Sequence, residues 1–262
     1  MANIHPTAVI GDGAEISDDC EIGAFCVIGP EVKLGAGCIL HSHVVIDGRT
    51  SLGKNNEVYS FACLGKRSQD LKYDGSDTYV EIGDNNVFRE YMTVNAATKG
   101  GTATRIGNDC HFLSYTHVAH DCILGNHVIL SSNAMISGHV EIGDNAIISG
   151  YSGVVQFVRI GEGAFIGGFS KLAKDVPPFY IAEGSPAEIR AVNKIGMERR
   201  GFDAATILAV QDSLKIIIRS GLTVEKALAD LGEKYPGNEL VKTIIDFTAD
   251  SKTGLARPKK KD

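Results

Sequence analysis

An aliphatic or aromatic residue returns at every sixth position along the first two thirds of this chain, always in one frame: Ile4, Ile10, Ile16, Ile22 and onward to Leu172. Of the 29 frame positions only Asp70, Ser76 and Gly100 depart from it. A helix repeats every 3.6 residues and a flat strand every 2, so neither produces this period. Short strands joined by regular corners do. The pattern predicts a parallel β-helix with three six-residue faces in each 18-residue coil.

Composition narrows the function classes. Residues 1–172 hold 11 basic and 19 acidic side chains, and residues 173–262 hold 15 and 13. An acidic body argues against nucleic-acid binding, while the mildly basic remainder suits an acidic partner. No apolar run is long enough for a membrane span, and no basic segment followed by a hydrophobic stretch opens the chain. A cytoplasmic protein is expected. Cys20, Cys26, Cys38, Cys110 and Cys122 each fall two residues before a frame position, as small inward-facing thiols would.

Two stretches interrupt the repeat. Residues 65–80 are rich in charge and turn formers, and 96–104 (AATKGGTAT) form a second expected excursion. Loops that break so regular a scaffold are candidates for function. Glycine follows many frame residues, as in Ile22-Gly23 and Leu34-Gly35, and is expected to supply the backbone angles of tight corners. Asp175-Val176-Pro177-Pro178 and Gly184-Ser185-Pro186 end the repeat, placing a β-helix over 1–186 and a small α-helical domain with a basic tail over 187–262. Helices are expected at 187–198, after an Asp203 cap, from a Thr223 cap to about Glu233, and from Glu239 to about Ala249; Lys259, Lys260 and Lys261 form a solvated tail.

Residues 18 apart lie about 4.8 Å apart on neighbouring coils. His120, Gly138 and Gln156 then share a column, beside Asp121, His139 and Phe157. The segment His117-Val118-Ala119-His120-Asp121-Cys122 concentrates the chemistry: an imidazole takes a proton near neutral pH, and a neighbouring carboxylate fixes its tautomer. A zinc site from His117, His120 and His139, or a purely structural role, stays open at this point. No nucleophile elbow, phosphate loop or dinucleotide fingerprint occurs in suitable context, which favours direct attack by a bound acceptor over a covalent relay.

The Ile-Gly hexapeptides, Gln69-Asp70-Leu71-Lys72-Tyr73, Arg89-Glu90, the 117–122 segment, Val155-Gln156-Phe157, Asp175-Val176-Pro177-Pro178 and Arg199-Arg200-Gly201-Phe202 together resemble the UDP-N-acetylglucosamine O-acyltransferases that begin lipid A synthesis. The resemblance spans essentially the whole chain. It implies a left-handed β-helix, a homotrimer with sites between subunits, and transfer of a 3-hydroxyacyl group from acyl carrier protein to the sugar 3-hydroxyl, without metal or cofactor. Carried over residue by residue, it makes His120 the general base, Asp121 its supporting carboxylate and Gly138 the main-chain oxyanion donor. Asp70, Lys72, Asn95, His117, His139 and Gln156 become substrate contacts. Asn193, Arg199 and Arg200 stand near the uridine-phosphate end, and Gly168 opens a groove for a long acyl chain. Asn95 and Val155 depart from histidines in the family pattern, which leaves N-acylation of a 3-amino sugar, or another nucleotide-sugar acyltransferase using an acyl-CoA, as alternatives. A noncatalytic trimeric binding scaffold is a third. The acyl length is not assigned.

Overall fold

A computed structural model of the chain describes residues 2–258, so the lysine tail expected at 259–261 lies outside the described residues. The repeat winds into three parallel faces, forming sheets of eleven, nine and eight strands. Each coil gives a short strand, mostly of two residues, to every face, as His111–Phe112, His117–Val118 and Ile123–Leu124 do for the first, second and third sheets. Register follows the 18-residue coil: His117 pairs with Met135, and Met135 with Gly153.

Two residues of each hexapeptide point inward. The frame residue fills the core, and the residue two before it packs the narrow corner, which explains the small side chains there. Cys20, Cys26, Cys38, Cys110 and Cys122 are buried and free. Each thiol donates to a carbonyl of the next coil, as Cys122 does to Ser137 at 3.1 Å. Burial pushes the Cys122 thiol up to about 12, so it stays protonated.

The corners work differently from the expectation placed on Gly23 and its equivalents. Left-handed backbone falls three residues after the frame position, at Phe25, Phe61, Tyr91, Asp121, His139 and Phe157 among others, with φ near +60°. Gly23 has no such angle; a Cβ there would lie 2.8 Å from the His41 carbonyl carbon. Glycine at this site therefore permits coils to stack closely. The left-handed residues, mostly aromatic, Asn, Asp or His, form ladders along the corners, with Tyr91 and Tyr115 stacked at 4.8 Å and His139 and Phe157 at 4.7 Å. Stacking offsets part of the conformational cost at each step.

Both interruptions leave the coil at one corner, between the second and third sheets. The first spans the gap between strands Cys63–Lys66 and Tyr79–Ile82, and the second the gap between Thr93–Asn95 and Ala103–Ile106. The Cys63–Thr93 pairing consequently carries an offset of 30 residues and Thr93–His117 one of 24.

Beyond the coils, the expected helix at 187–198 is mostly a strand. Tyr180–Gly184 and Ala187–Val192 pair antiparallel at the edge of the first sheet. Ala187 and Ile189 are buried while Arg190 is exposed, an alternation that satisfies a sheet face and overrides helical propensity. Only Lys194–Arg199 (α1) is helical there. Helices α2 (Ala204–Leu214), α3 (Val224–Lys234) and α4 (Glu239–Ala249) follow, with α2 continued by a π-helical turn over Lys215–Arg219. Asp203 caps α2 by accepting the Thr206 N–H at 2.7 Å, and Thr223 caps α3.

Candidate active site

The chain turns from the second sheet to the third through His120-Asp121, at the same corner that releases both loops one and two coils earlier. The loops therefore flank the turn. A cleft of about 470 Å³ opens between loop residues Asp70 and Lys72 and coil residues His117, His120, Gly138 and Gln156. These six sequence-predicted positions are brought together by one chain.

His120 is 95% buried, and its Nδ1 lies 2.9 Å from Asp121 Oδ2 and 3.1 Å from Thr98 Oγ1. That leaves Nε2 as the ring nitrogen with capacity to meet a ligand. Burial raises the Asp121 carboxyl, but hydrogen bonds from His120 and Thr98, with the nearby His139, outweigh it and hold the group below its ordinary value. Asp121 is thus an anion beside the imidazole. His139 Nε2 stands 3.7 Å from Asp121 Oδ2, and its ring meets His120 edge-on with centroids 5.2 Å apart.

Gly138 has no room for a side chain. A Cβ would lie 2.3 Å from His120 Cε1 and 2.5 Å from Nε2, so the imidazole occupies the space that any other residue would fill. Its backbone N–H has no acceptor among the described residues. The same corner position is bonded elsewhere by a side chain, as Asn108 N–H is to Asn126 Oδ1. The cleft accordingly contains a main-chain donor beside an imidazole.

His117 turns its Nδ1 to Thr93 Oγ1 at 2.7 Å, and burial, followed by the proximity of the His120 imidazole, lowers its pKa, keeping it neutral. It is not part of the metal-capable group: among the described residues that is Asp70, His120 and His139, with one ligand atom each within 4.8 Å of one another. Asn95 is buried and is not among the residues lining the cleft; it donates to the Arg67 carbonyl at 2.8 Å, and its Oδ1 has no partner among the described residues.

Other predicted positions lie elsewhere. Asn193, Arg199 and Arg200 line a separate cleft of about 330 Å³ with Asn145 and Gly163. Asn193 also caps α1, accepting the Gly196 N–H at 3.0 Å, and Arg200 pairs with Glu162 and lies over the Phe202 ring at 5.1 Å. Gly168 is exposed at the opposite edge of the second sheet, where a Cβ would come no nearer than 3.4 Å to the Gly150 carbonyl oxygen. The sequence reading missed Thr98 and Ser68; their place in the interruptions was the available signal.

Comparison with known proteins fits this geometry. Residues 13–48, 103–138 and 139–174 match the bacterial transferase hexapeptide family, and 175–256 match the second domain of UDP-N-acetylglucosamine O-acyltransferase. A curated relative from Akkermansia muciniphila, an acyl-[acyl-carrier-protein]–UDP-N-acetylglucosamine O-acyltransferase, is 52% identical over 97% of this chain and 99% of its own. The chain belongs to the UDP-N-acetylglucosamine O-acyltransferase family. The solved Acinetobacter baumannii LpxA superposes with a TM-score of 0.94 at 42% identity, covering 97% of this chain and 99% of that one. An Arabidopsis UDP-N-acetylglucosamine acyltransferase aligns at 0.81 and 32%, covering 98% of each chain. The three-faced coil is the left-handed parallel β-helix of this acyltransferase family, with its small helical domain.

Proposed function

We propose that the chain transfers an (R)-3-hydroxyacyl group from acyl carrier protein to the 3-hydroxyl of UDP-N-acetylglucosamine, the first step of lipid A synthesis. The observation that carries this reading is His120, held at Nδ1 by an anionic Asp121 with Nε2 left for the substrate, beside the unpartnered N–H of Gly138. His120 Nε2 takes the proton of the 3-hydroxyl as that oxygen attacks the thioester carbonyl. The tetrahedral oxyanion accepts the Gly138 N–H. Collapse breaks the C–S bond, and the imidazolium returns its proton to the departing thiolate.

Asp70, Lys72, His117, His139 and Gln156 surround the reacting groups, and Asn95 reaches the substrate through its unpaired Oδ1. The acyl chain crosses the outer face of the second sheet towards Gly168, passing Gly153, where a Cβ would meet nothing within 4 Å. Asn193, Arg199 and Arg200 serve the nucleotide from a neighbouring copy in a homotrimer, because one chain places them in a different cleft from His120. Six free cysteines support a cytoplasmic setting. No helix among the described residues is long and apolar enough to cross a membrane.

The test is a mass-spectrometric turnover assay with UDP-N-acetylglucosamine and a graded series of 3-hydroxyacyl carrier proteins, with the 3-amino sugar analogue and acetyl-CoA in parallel. One hydroxyacyl group added at O3 is the expected product. Turnover of only the amino analogue, or only with acetyl-CoA, would overturn the assignment of acceptor or donor.

A further inference from the structure

The two loops that interrupt the coil are joined through one side chain that also touches the catalytic pair. Thr98, in the second loop, donates its backbone N–H to both carboxylate oxygens of Asp121 at 3.1 Å. Its hydroxyl lies 3.1 Å from His120 Nδ1 and 2.7 Å from Ser68 Oγ in the first loop. Ser68 is buried and accepts the Asp70 N–H at 3.2 Å, while Asp70 Oδ1 accepts the Lys72 N–H at 2.9 Å. An unbroken path therefore runs from the cleft wall that carries Asp70 and Lys72 to the ring of His120.

We infer that Thr98 is a positioning residue that holds His120 in its Nδ1–H tautomer and ties that tautomer to the seating of the first loop. The argument is one of hydrogen-bond direction. Asp121 is an anion and can only accept, so Nδ1 must carry the proton for the 2.9 Å contact to be a hydrogen bond. Nδ1–H then faces two acceptors, the carboxylate and the Thr98 hydroxyl, and the hydroxyl directs its own hydrogen away from the ring to Ser68 Oγ. Were Thr98 to donate to Nδ1 instead, the ring proton would sit on Nε2 and no lone pair would remain to take a proton from the acceptor. The 2.9 Å bond to Asp121 settles the choice, and Ser68 Oγ, 2.7 Å from the Thr98 hydroxyl, gives its hydrogen an acceptor away from the ring. The backbone N–H of Thr98 performs a second task, fixing the carboxylate that faces Nδ1. Thr102 Oγ1, at 3.4 Å from Asp121 Oδ1, adds a weaker tie from the same loop.

This inference rests on the proposed role of His120 as base, and the experiment separates the two. Thr98→Val keeps the side-chain shape and the N–H to Asp121 while deleting the hydroxyl; Thr98→Ser restores it. In the turnover assay Thr98→Val is expected to lose roughly tenfold in kcat, the factor for one hydrogen bond at a positioned base, with KM for the sugar within about twofold. Thr98→Ser should recover most of the loss. Nitrogen-15 NMR of histidine-labelled protein reads the tautomer directly: His120 should be Nδ1–H in the wild type, with a larger Nε2–H fraction in Thr98→Val, where Asp121 alone is left to face Nδ1, and melting temperatures should be alike. Wild-type kcat and an unchanged His120 tautomer in a folded Thr98→Val protein would overturn the inference. A wild-type enzyme that fails to acylate the sugar would instead defeat the functional reading and leave the NMR comparison to decide the role of Thr98.

Discussion

Replacing Gly138 by alanine sets a single methyl group against the His120 ring. Gly138 does not adopt a positive φ, and the N–H is retained, so the substitution leaves the coil and the main-chain donor in place. What changes is space. The new Cβ would lie 2.3 Å from Cε1, and ordinary contact begins at 3.4 Å, so the ring must retreat by about 1.1 Å. It cannot do so and keep the 2.9 Å bond to Asp121 and the 3.1 Å contact with Thr98. Misplacement of a reacting group by about 1 Å costs on the order of 10²-fold in rate. The charge-assisted bond lost from Nδ1 lowers stability by roughly 1–3 kcal/mol.

Steady-state kcat at saturating carrier-bound donor and UDP-N-acetylglucosamine measures the first effect, and thermal or denaturant unfolding the second. The expected outcome is a folded protein with about a hundredfold lower kcat. A Gly138→Ala enzyme within threefold of wild type would show that the ring has room to move without consequence, and the proposed geometry of base and donor would fail.

Three further outcomes follow from the same contacts. His120→Ala should reduce kcat by about 10²- to 10⁴-fold with the fold retained, whereas His139→Ala should be milder because its Nε2 stands 3.7 Å from the carboxylate and does not hold the reacting proton; equal losses in a paired kinetic comparison would reverse the roles. Asp175 is fully buried and accepts from the Arg159 N–H and the hydroxyls of Ser251 and Thr253, joining the end of the coil to the segment after α4; Asp175→Ala, leaving three donors without their acceptor, should cost about 3 kcal/mol or more in urea unfolding and expose residues 251–256 to proteolysis. Hydrogen bonds from Lys234, Tyr235 and Lys215 hold the Asp212 carboxyl below its ordinary 3.8, so its contribution is complete above that pH and is lost as pH falls towards the folded value; Asp212→Asn should flatten the acid side of the stability curve, and an unchanged curve would refute the role of this cluster.

The sixfold frame made the coil legible because it is an inward pattern: one buried side chain per strand admits no other period. The clustering of His117, His120, Gly138 and Gln156 was legible for the same reason, since register converts numbers 18 apart into neighbours. The sequence reading failed where local propensity and packing differ. The pattern assigns Gly23 to a bend, whereas in the stacked coils it provides clearance for the next coil, a distinction visible only once coils are stacked. Residues 187–192 suit a helix locally, yet the open edge of the first sheet pairs with them. Thr98 and Ser68 carried no pattern, because loop contacts are made by chain paths that no period specifies. The insertions themselves lengthen the coil by multiples of six, which kept the frame in phase; nothing in the stacking requires this of a loop.

Chemistry at a corner comes with orientation already determined. Asp121 and His139 both occupy left-handed positions, at φ of 60°, so the direction of each side chain follows from the turn and is held by the column above and below it, with His139 stacked on Phe157. A histidine–carboxylate pair on an independent loop would have to be ordered by its own contacts, whereas here strands on either side are pinned by buried residues such as Val118 and Leu124. The scaffold supplies His120, the Asp121 carboxylate and the clearance at Gly138. What it does not supply is enclosure, because a prism face is convex. The two loops provide one wall, and in the homotrimer proposed above a second copy would provide the other. The rigidity of the coil and the incompleteness of its cleft thus have one origin: a surface regular enough to preorganise the pair is too regular to enclose a substrate alone.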